Sequence, residues 1–104
     1  MIRVQQEDFS VDEVIAVLKQ PHVGAIVTFS GSVRELGRDG AAIEAVEWDV
    51  YPSMAIKILE AIRLEAIQRF LLIDAAILHR YGRQEPGDNL VLIATASSHR
   101  KEAF

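Results

Sequence analysis

Leu90-Val91-Leu92-Ile93-Ala94, followed shortly by Ser97-Ser98-His99-Arg100-Lys101-Glu102-Ala103-Phe104, is the stretch that decides how this chain reads. The five apolar residues make an unbroken run of strand length, as in a strand covered on both faces. Two serines, a histidine, two cations and a small apolar pair come next, the pattern of a strand that ends in a capped helix start. Helix N-termini favour anions, and His99 and Arg100 would add donors at the same place. The expectation is a strand exit that holds phosphate or carboxylate.

Working back from that strand, Pro86-Gly87 reads as a turn. Residues 72–78 form another apolar strand, ending at His79-Arg80. Residues 53–70 carry Ile58, Leu59, Ile62, Ala66 and Phe70 at helical spacing, with Lys57, Glu60, Arg63, Glu65 and Arg69 between them, so they predict the longest helix. Residues 43–51 alternate, with Val46, Trp48 and Val50 on one side and Glu47 and Asp49 on the other. That predicts a strand with one polar face, able to pair with the strand before it. Residues 35–40 contain two glycines and predict a mobile loop.

Residues 23–29 predict a buried strand, in which Gly24 marks a close backbone approach or a bulge. Ser30-Gly31-Ser32-Val33-Arg34 leaves it. Near the start, Ser10 and Glu13 form a capping box, Phe9 is placed to staple onto Val14, and Pro21 ends the helix. Ile2 and Val4 alternate with polar residues as a short strand, a candidate edge. The order β-α-β-β-α-β-β predicts an α+β fold with a mixed or largely antiparallel sheet and two main helices.

The chain has 104 residues, which predicts a single domain over residues 1–104. Half is hydrophobic and 25% is charged, enough apolar material for a core. A net charge of -4 argues against general nucleic-acid binding, which needs a basic face. There is no cysteine, so this chain supplies no disulfide, zinc thiolate or thiol nucleophile. No apolar leader or membrane-length run is visible, and the expectation is a cytoplasmic protein with no membrane contact.

Several residue groups could carry chemistry. Arg34 comes after a strand and precedes the loop; it reads either as an anion-binding arginine under a lid or as a solvated loop residue. His99 and Arg100 read either as an anion pocket with a histidine for proton transfer or as an ordinary helix start. His79-Arg80 reads best as a strand-end pair that anchors the turn through backbone carbonyls. Arg38 and His22 read as loop residues. Asp12 with Glu13 suits a helix first turn, and Glu47 with Asp49 a polar strand face. Trp48 and Phe70 read as core or interface. Three scattered histidines give no metal-ligand spacing, and no cofactor motif is present.

Five stretches in order resemble the MoaE family, the large catalytic subunit of molybdopterin synthase. They are Gly24-Ala25-Ile26-Val27-Thr28-Phe29-Ser30-Gly31-Ser32-Val33-Arg34, Tyr51-Pro52-Ser53-Met54-Ala55, His79-Arg80-Tyr81-Gly82, Pro86-Gly87-Asp88, and Ser97 to Phe104. The resemblance implies an α/β hammerhead fold and a central homodimer. It implies a small ubiquitin-like partner subunit whose C-terminal Gly-Gly thiocarboxylate enters the large subunit. It also implies transfer of two sulfurs to cyclic pyranopterin monophosphate (precursor Z), giving molybdopterin. The absence of cysteine fits a sulfur carried by the partner, and no cofactor is implied.

By the same resemblance Ser32, Val33 and Arg34 match one substrate-binding segment, and His99 and Arg100 match a second. Arg34 and Arg100 would bind the anion, and His99 would bind it or orient the substrate. The family's helix continues past the Ala-Phe pair with a lysine, and a lysine segment comes after a Pro-x-Trp. Those lysines are its catalytic candidates, and both would lie beyond Phe104. The catalytic residues are therefore unknown from this sequence. The expectation is a tail beyond it; the alternative is a shortened relative that binds the small subunit or an anionic ligand without turnover.

Overall fold

The computed structural model describes residues 1–104, and the chain runs β1 (Ile2–Gln5), α1 (Val11–Leu18), β2 (Ala25–Ser32), β3 (Val46–Trp48), α2 (Pro52–Phe70), β4 (Asp74–Arg80), β5 (Gly82–Gln84), β6 (Asn89–Ser97) and α3 (Arg100–Ala103). Four strands form one sheet in the order β1-β4-β6-β2, and β3 pairs with β5 in a second, two-stranded sheet. The main sheet is mixed: β1 runs parallel to β4, while β4 with β6 and β6 with β2 are antiparallel. The fold is thus α+β, and β1 is an edge, as its short alternation suggested.

The apolar runs of β4 and β6 become the two central strands of the sheet. Leu92, Ala94 and Ala96 of β6 meet Ala76 and Leu78 of β4 and the buried side of α1, Val14 and Leu18. Phe9 packs on the same cluster. The start of α1 is fixed locally: Ser10 accepts a hydrogen bond from the Glu13 backbone N–H at 3.3 Å. Such a cap contributes about 1 kcal/mol. The helix stops after Leu18, ahead of Pro21.

Three expectations are corrected. Residues 25–32 are a sheet edge, not a buried strand, and Phe29 is 60% exposed. Strand β3 is shorter than the alternating run and pairs with β5, not with β2. Its pairing is set by the chain coming back through Gly82, which no local pattern encodes. The 35–40 segment is a loop, as expected, closed by hydrogen bonds at its base: Gly37 N–H donates to Ala41 at 2.8 Å, Ile43 N–H donates to Glu35 at 2.8 Å, and Leu36 bridges Ala42. Helix α2 is the longest helix, as expected, and its apolar stripe buries no residue. Neither Ser97 nor Ser98 caps α3; His99 is the N-cap, without a side-chain bond, and Ser97 is buried in the sheet.

Helix α2 is held instead by Arg63. Its Nε donates to the Ala75 carbonyl at 2.8 Å, and its guanidinium reaches Asp74 at 2.7 Å and Glu60 at 3.0 Å. Burial alone would raise the Asp74 carboxyl, but Arg63 and the Ala75 N–H outweigh it and hold the group below its ordinary range. The helix ends on Leu71 in the left-handed conformation, φ 56°, a place usually given to glycine.

Candidate functional site

The register of β2 against β6 fixes where the candidate residues stand. Ala25 lies opposite Ser97, and Ser32 lies opposite Asn89. The segment Ser32-Val33-Arg34 therefore leaves one end of the strand pair, and His99-Arg100 leaves the other. The length of β2 separates them, roughly 23 Å at about 3.3 Å per residue. Within one chain the two segments are not brought together.

The first end is shaped by a glycine. Gly31 sits against Val91, whose Cγ1 would lie 2.7 Å from an added Cβ, and the register shifts at the Gly31/Ser32 step. A bulge at a strand end re-aims the residues beyond it. Val33 is then buried and clamped to the neighbouring turn: its N–H donates to Asp88 at 3.0 Å, and its carbonyl accepts from the Gly87 N–H at 2.9 Å. Gly87 has φ +91°, and the turn closes with Asp88 Oδ2 accepting from the Glu85 N–H at 2.8 Å. Val33 is thus an anchor through its backbone and core contact, while Ser32 and Arg34 on either side are exposed.

The second end depends on Gly24. An added Cβ there would collide with the Ser98 carbonyl, and the Gly24 N–H donates to Ser97 at 2.9 Å. The close approach read from Gly24 is real, and it seats the exit of β6 flush against β2. Thr95 Oγ1 donates to the Ala103 carbonyl at 2.6 Å and ties the α3 turn back to the sheet. His99 and Arg100 project from this corner, exposed. The chain's three ion pairs use Arg63 and Arg80, so Arg34 and Arg100 are unpaired cations.

His79-Arg80 behaves as a turn anchor. His79 Nδ1 lies 2.7 Å from the Arg80 carbonyl oxygen, and Arg80 donates to the carbonyls of Gln6 and Asn89, each at 3.0 Å. Trp48 meets His79 edge to face, with ring centroids 6.2 Å apart. It is partly exposed over a groove of about 310 Å³ shared with Val4, Val50, Ile58 and Leu59. A second groove, about 540 Å³, lies between Phe70, Leu72, Thr95 and Ala103. Beside it Glu102 keeps one carboxylate oxygen buried without a partner. Sequence reasoning passed over Glu102 and Gln84; Gln84 is buried with Oε1 unpaired, and its only sequence signal is a polar residue next to a turn. No three His, Asp or Glu side chains lie close enough together to hold a metal ion.

The structure is an α+β protein with a mixed sheet, two main helices and two shaped strand exits, each carrying an exposed arginine outside the chain's ion pairs. The profile of the family described as MoaE protein matches residues 4–104. The molybdopterin synthase catalytic subunit of Rhizobium meliloti is 45% identical over 99% of this chain. The MoaE protein structure from Burkholderia ambifaria superposes with a TM-score of 0.89 at 43% identity, covering 99% of this chain and 67% of that one. The crystal structure of molybdopterin synthase from Staphylococcus aureus gives 0.90 at 33% identity, over 97% of this chain and 73% of that one. The chain belongs to the MoaE family. It spans 66% of the length of the Rhizobium protein.

Proposed function

We propose that the protein is the large, catalytic subunit of a molybdopterin synthase. It would take sulfur from the C-terminal thiocarboxylate of a small ubiquitin-like subunit and pass it to cyclic pyranopterin monophosphate, yielding molybdopterin. The observation that carries this reading is the 45% identity to a molybdopterin synthase catalytic subunit over 99% of this chain. The strand exits support it chemically. Arg34 and Arg100 are unpaired, exposed cations of the kind that holds a phosphate, and His99 stands next to Arg100 to orient the pterin. With no cysteine in the chain, a sulfur source must come from another molecule.

In this reading Ser32, Val33 and Arg34 bind substrate at one strand exit, with Val33 acting through its backbone. His99 and Arg100 bind it at the other. The 104 residues act as one domain within a homodimer that docks one small subunit on each copy. No helix is long and apolar enough to cross a membrane, and the cytoplasm is the proposed setting. The test is to incubate the full protein with thiocarboxylated small subunit and cyclic pyranopterin monophosphate. Formation of the dithiolene product is expected. A substrate that stays unchanged while the thiocarboxylate persists would contradict the reading.

A further inference from the structure

We propose that Asp39, in the loop between β2 and β3, is a site of spontaneous backbone isomerisation: the Asp39-Gly40 peptide closes to a succinimide and reopens as isoaspartate. The modification is independent of what the strand exits bind.

The first observation is in the sequence. Of the chain's aspartates, only Asp39 is followed by glycine. Ring closure requires the nitrogen of the next residue to reach the aspartate Cγ, and a side chain on that residue hinders the approach. Glycine has none, and its backbone adopts the angles that the approach needs. Asp49, by contrast, is followed by β-branched Val50, and Asp8 by Phe9.

The second observation is geometric. Asp39 Oδ1 accepts a hydrogen bond from the Ala41 N–H at 3.0 Å, which folds the carboxyl back over the Gly40 peptide. Gly40 has φ +80°, and no atom lies within 4 Å of where its Cβ would be. Both residues are exposed, so water reaches the ring and the turn has room to move. One contact opposes the reaction: the Gly40 N–H donates to the Gly37 carbonyl at 3.0 Å. It is a single bond of an exposed turn, of the kind that opens in local fluctuations. Other aspartates are engaged elsewhere: Asp74 holds Arg63, and Asp88 Oδ2 accepts from the Glu85 N–H behind it.

The step balances with water as the only co-reactant. The Gly40 nitrogen loses its proton and bonds to the Asp39 Cγ, and one carboxyl oxygen leaves as water. The product is a five-membered imide. Water then adds to the imide carbonyl that was the Asp39 main-chain carbonyl, and its bond to nitrogen breaks. The chain now runs through Cβ and Cγ, one methylene longer, with a free carboxylate on Cα. That extra length falls on the side of the loop that returns from the tip. The Gly37–Ala41 bond and the Leu36–Ala42 bridge then lose their register. Isomerised protein is therefore opened at the loop while its mass and net charge are unchanged.

The test holds the purified protein at neutral pH and body temperature for several weeks. Its peptides are then mapped by electron-transfer fragmentation, which distinguishes isoaspartate by cleavage between Cα and Cβ. Isoaspartate is expected at position 39 above every other aspartate, with a form lighter by one water at mildly acid pH. Asp39→Glu should lose the product, because closure there requires a six-membered imide. Hydrogen exchange of the Gly37 amide should quicken in the aged wild type and not in aged Asp39→Glu. No isoaspartate at position 39 in the folded protein overturns the proposal, and its appearance only in urea would assign the protection to the Gly40–Gly37 bond. Isoaspartate spread evenly over the aspartates overturns the site, and unchanged Gly37 exchange overturns the opening of the loop.

Discussion

On one face of the sheet, α1 uses eight residues to bury Val14 and Leu18 to 3% and 0% exposure. Helix α2 runs for nineteen residues and buries none. Ile58 and Ile62 remain about half exposed, and Phe29 and Ile93 are open as well. Helix length and helical spacing decide whether a helix forms; what it meets decides whether it contributes to a core. The α1 face is an interior, held by dispersion and water exclusion. Helix α2 is pinned by one guanidinium and presents apolar surface of the kind that other chains cover.

That contrast sets the order of the stability effects. Leu18→Ala should cost about 3 kcal/mol, because it opens a cavity in a fully buried cluster; chemical denaturation measures it. Arg63→Ala should cost about 2 kcal/mol, since it leaves the partly buried Asp74 without its partner and frees α2 from Ala75. A smaller loss there would mean that the apolar stripe, not the ion pair, holds α2.

Asp74 sharpens the same point through pH. Its carboxyl is held below the ordinary range in the fold, so its contribution is fully present above the unfolded-state value and is lost as pH falls through the folded one. Acid titration of stability should therefore show an acid limb that Asp74→Asn flattens. Ile62→Ala should change stability least, within about 0.5 kcal/mol, because half of that side chain is already in water. A cost near that of Leu18→Ala would erase the distinction between the two helices.

How much of this was legible in the sequence depends on the reach of each interaction. The Ser10–Glu13 cap, the Pro86-Gly87 turn and the His79-Arg80 anchor are local, and their residues announced them. Gly24 announced a close approach, though not that Ser98 was the neighbour. The partner of β3 was not legible, because Val46–Trp48 meets Gly82–Gln84 across a long stretch of chain. Nor was the position of β2 at the edge, since Ile26, Val27 and Phe29 read alike in a central or an edge strand. The opposite placement of Arg34 and Arg100 is a property of the β2–β6 register alone. Arg63 looked like a solvated residue of the polar face because nothing near it in sequence names Ala75 or Asp74.

The most direct test of the account is the affinity of the wild-type protein and of the Arg34→Ala and Arg100→Ala variants for cyclic pyranopterin monophosphate, by calorimetric titration. Each substitution should weaken binding at least about tenfold, as expected for the loss of a charge-assisted contact to phosphate. Wild-type affinity in both variants would contradict the assignment of the two strand exits to the substrate.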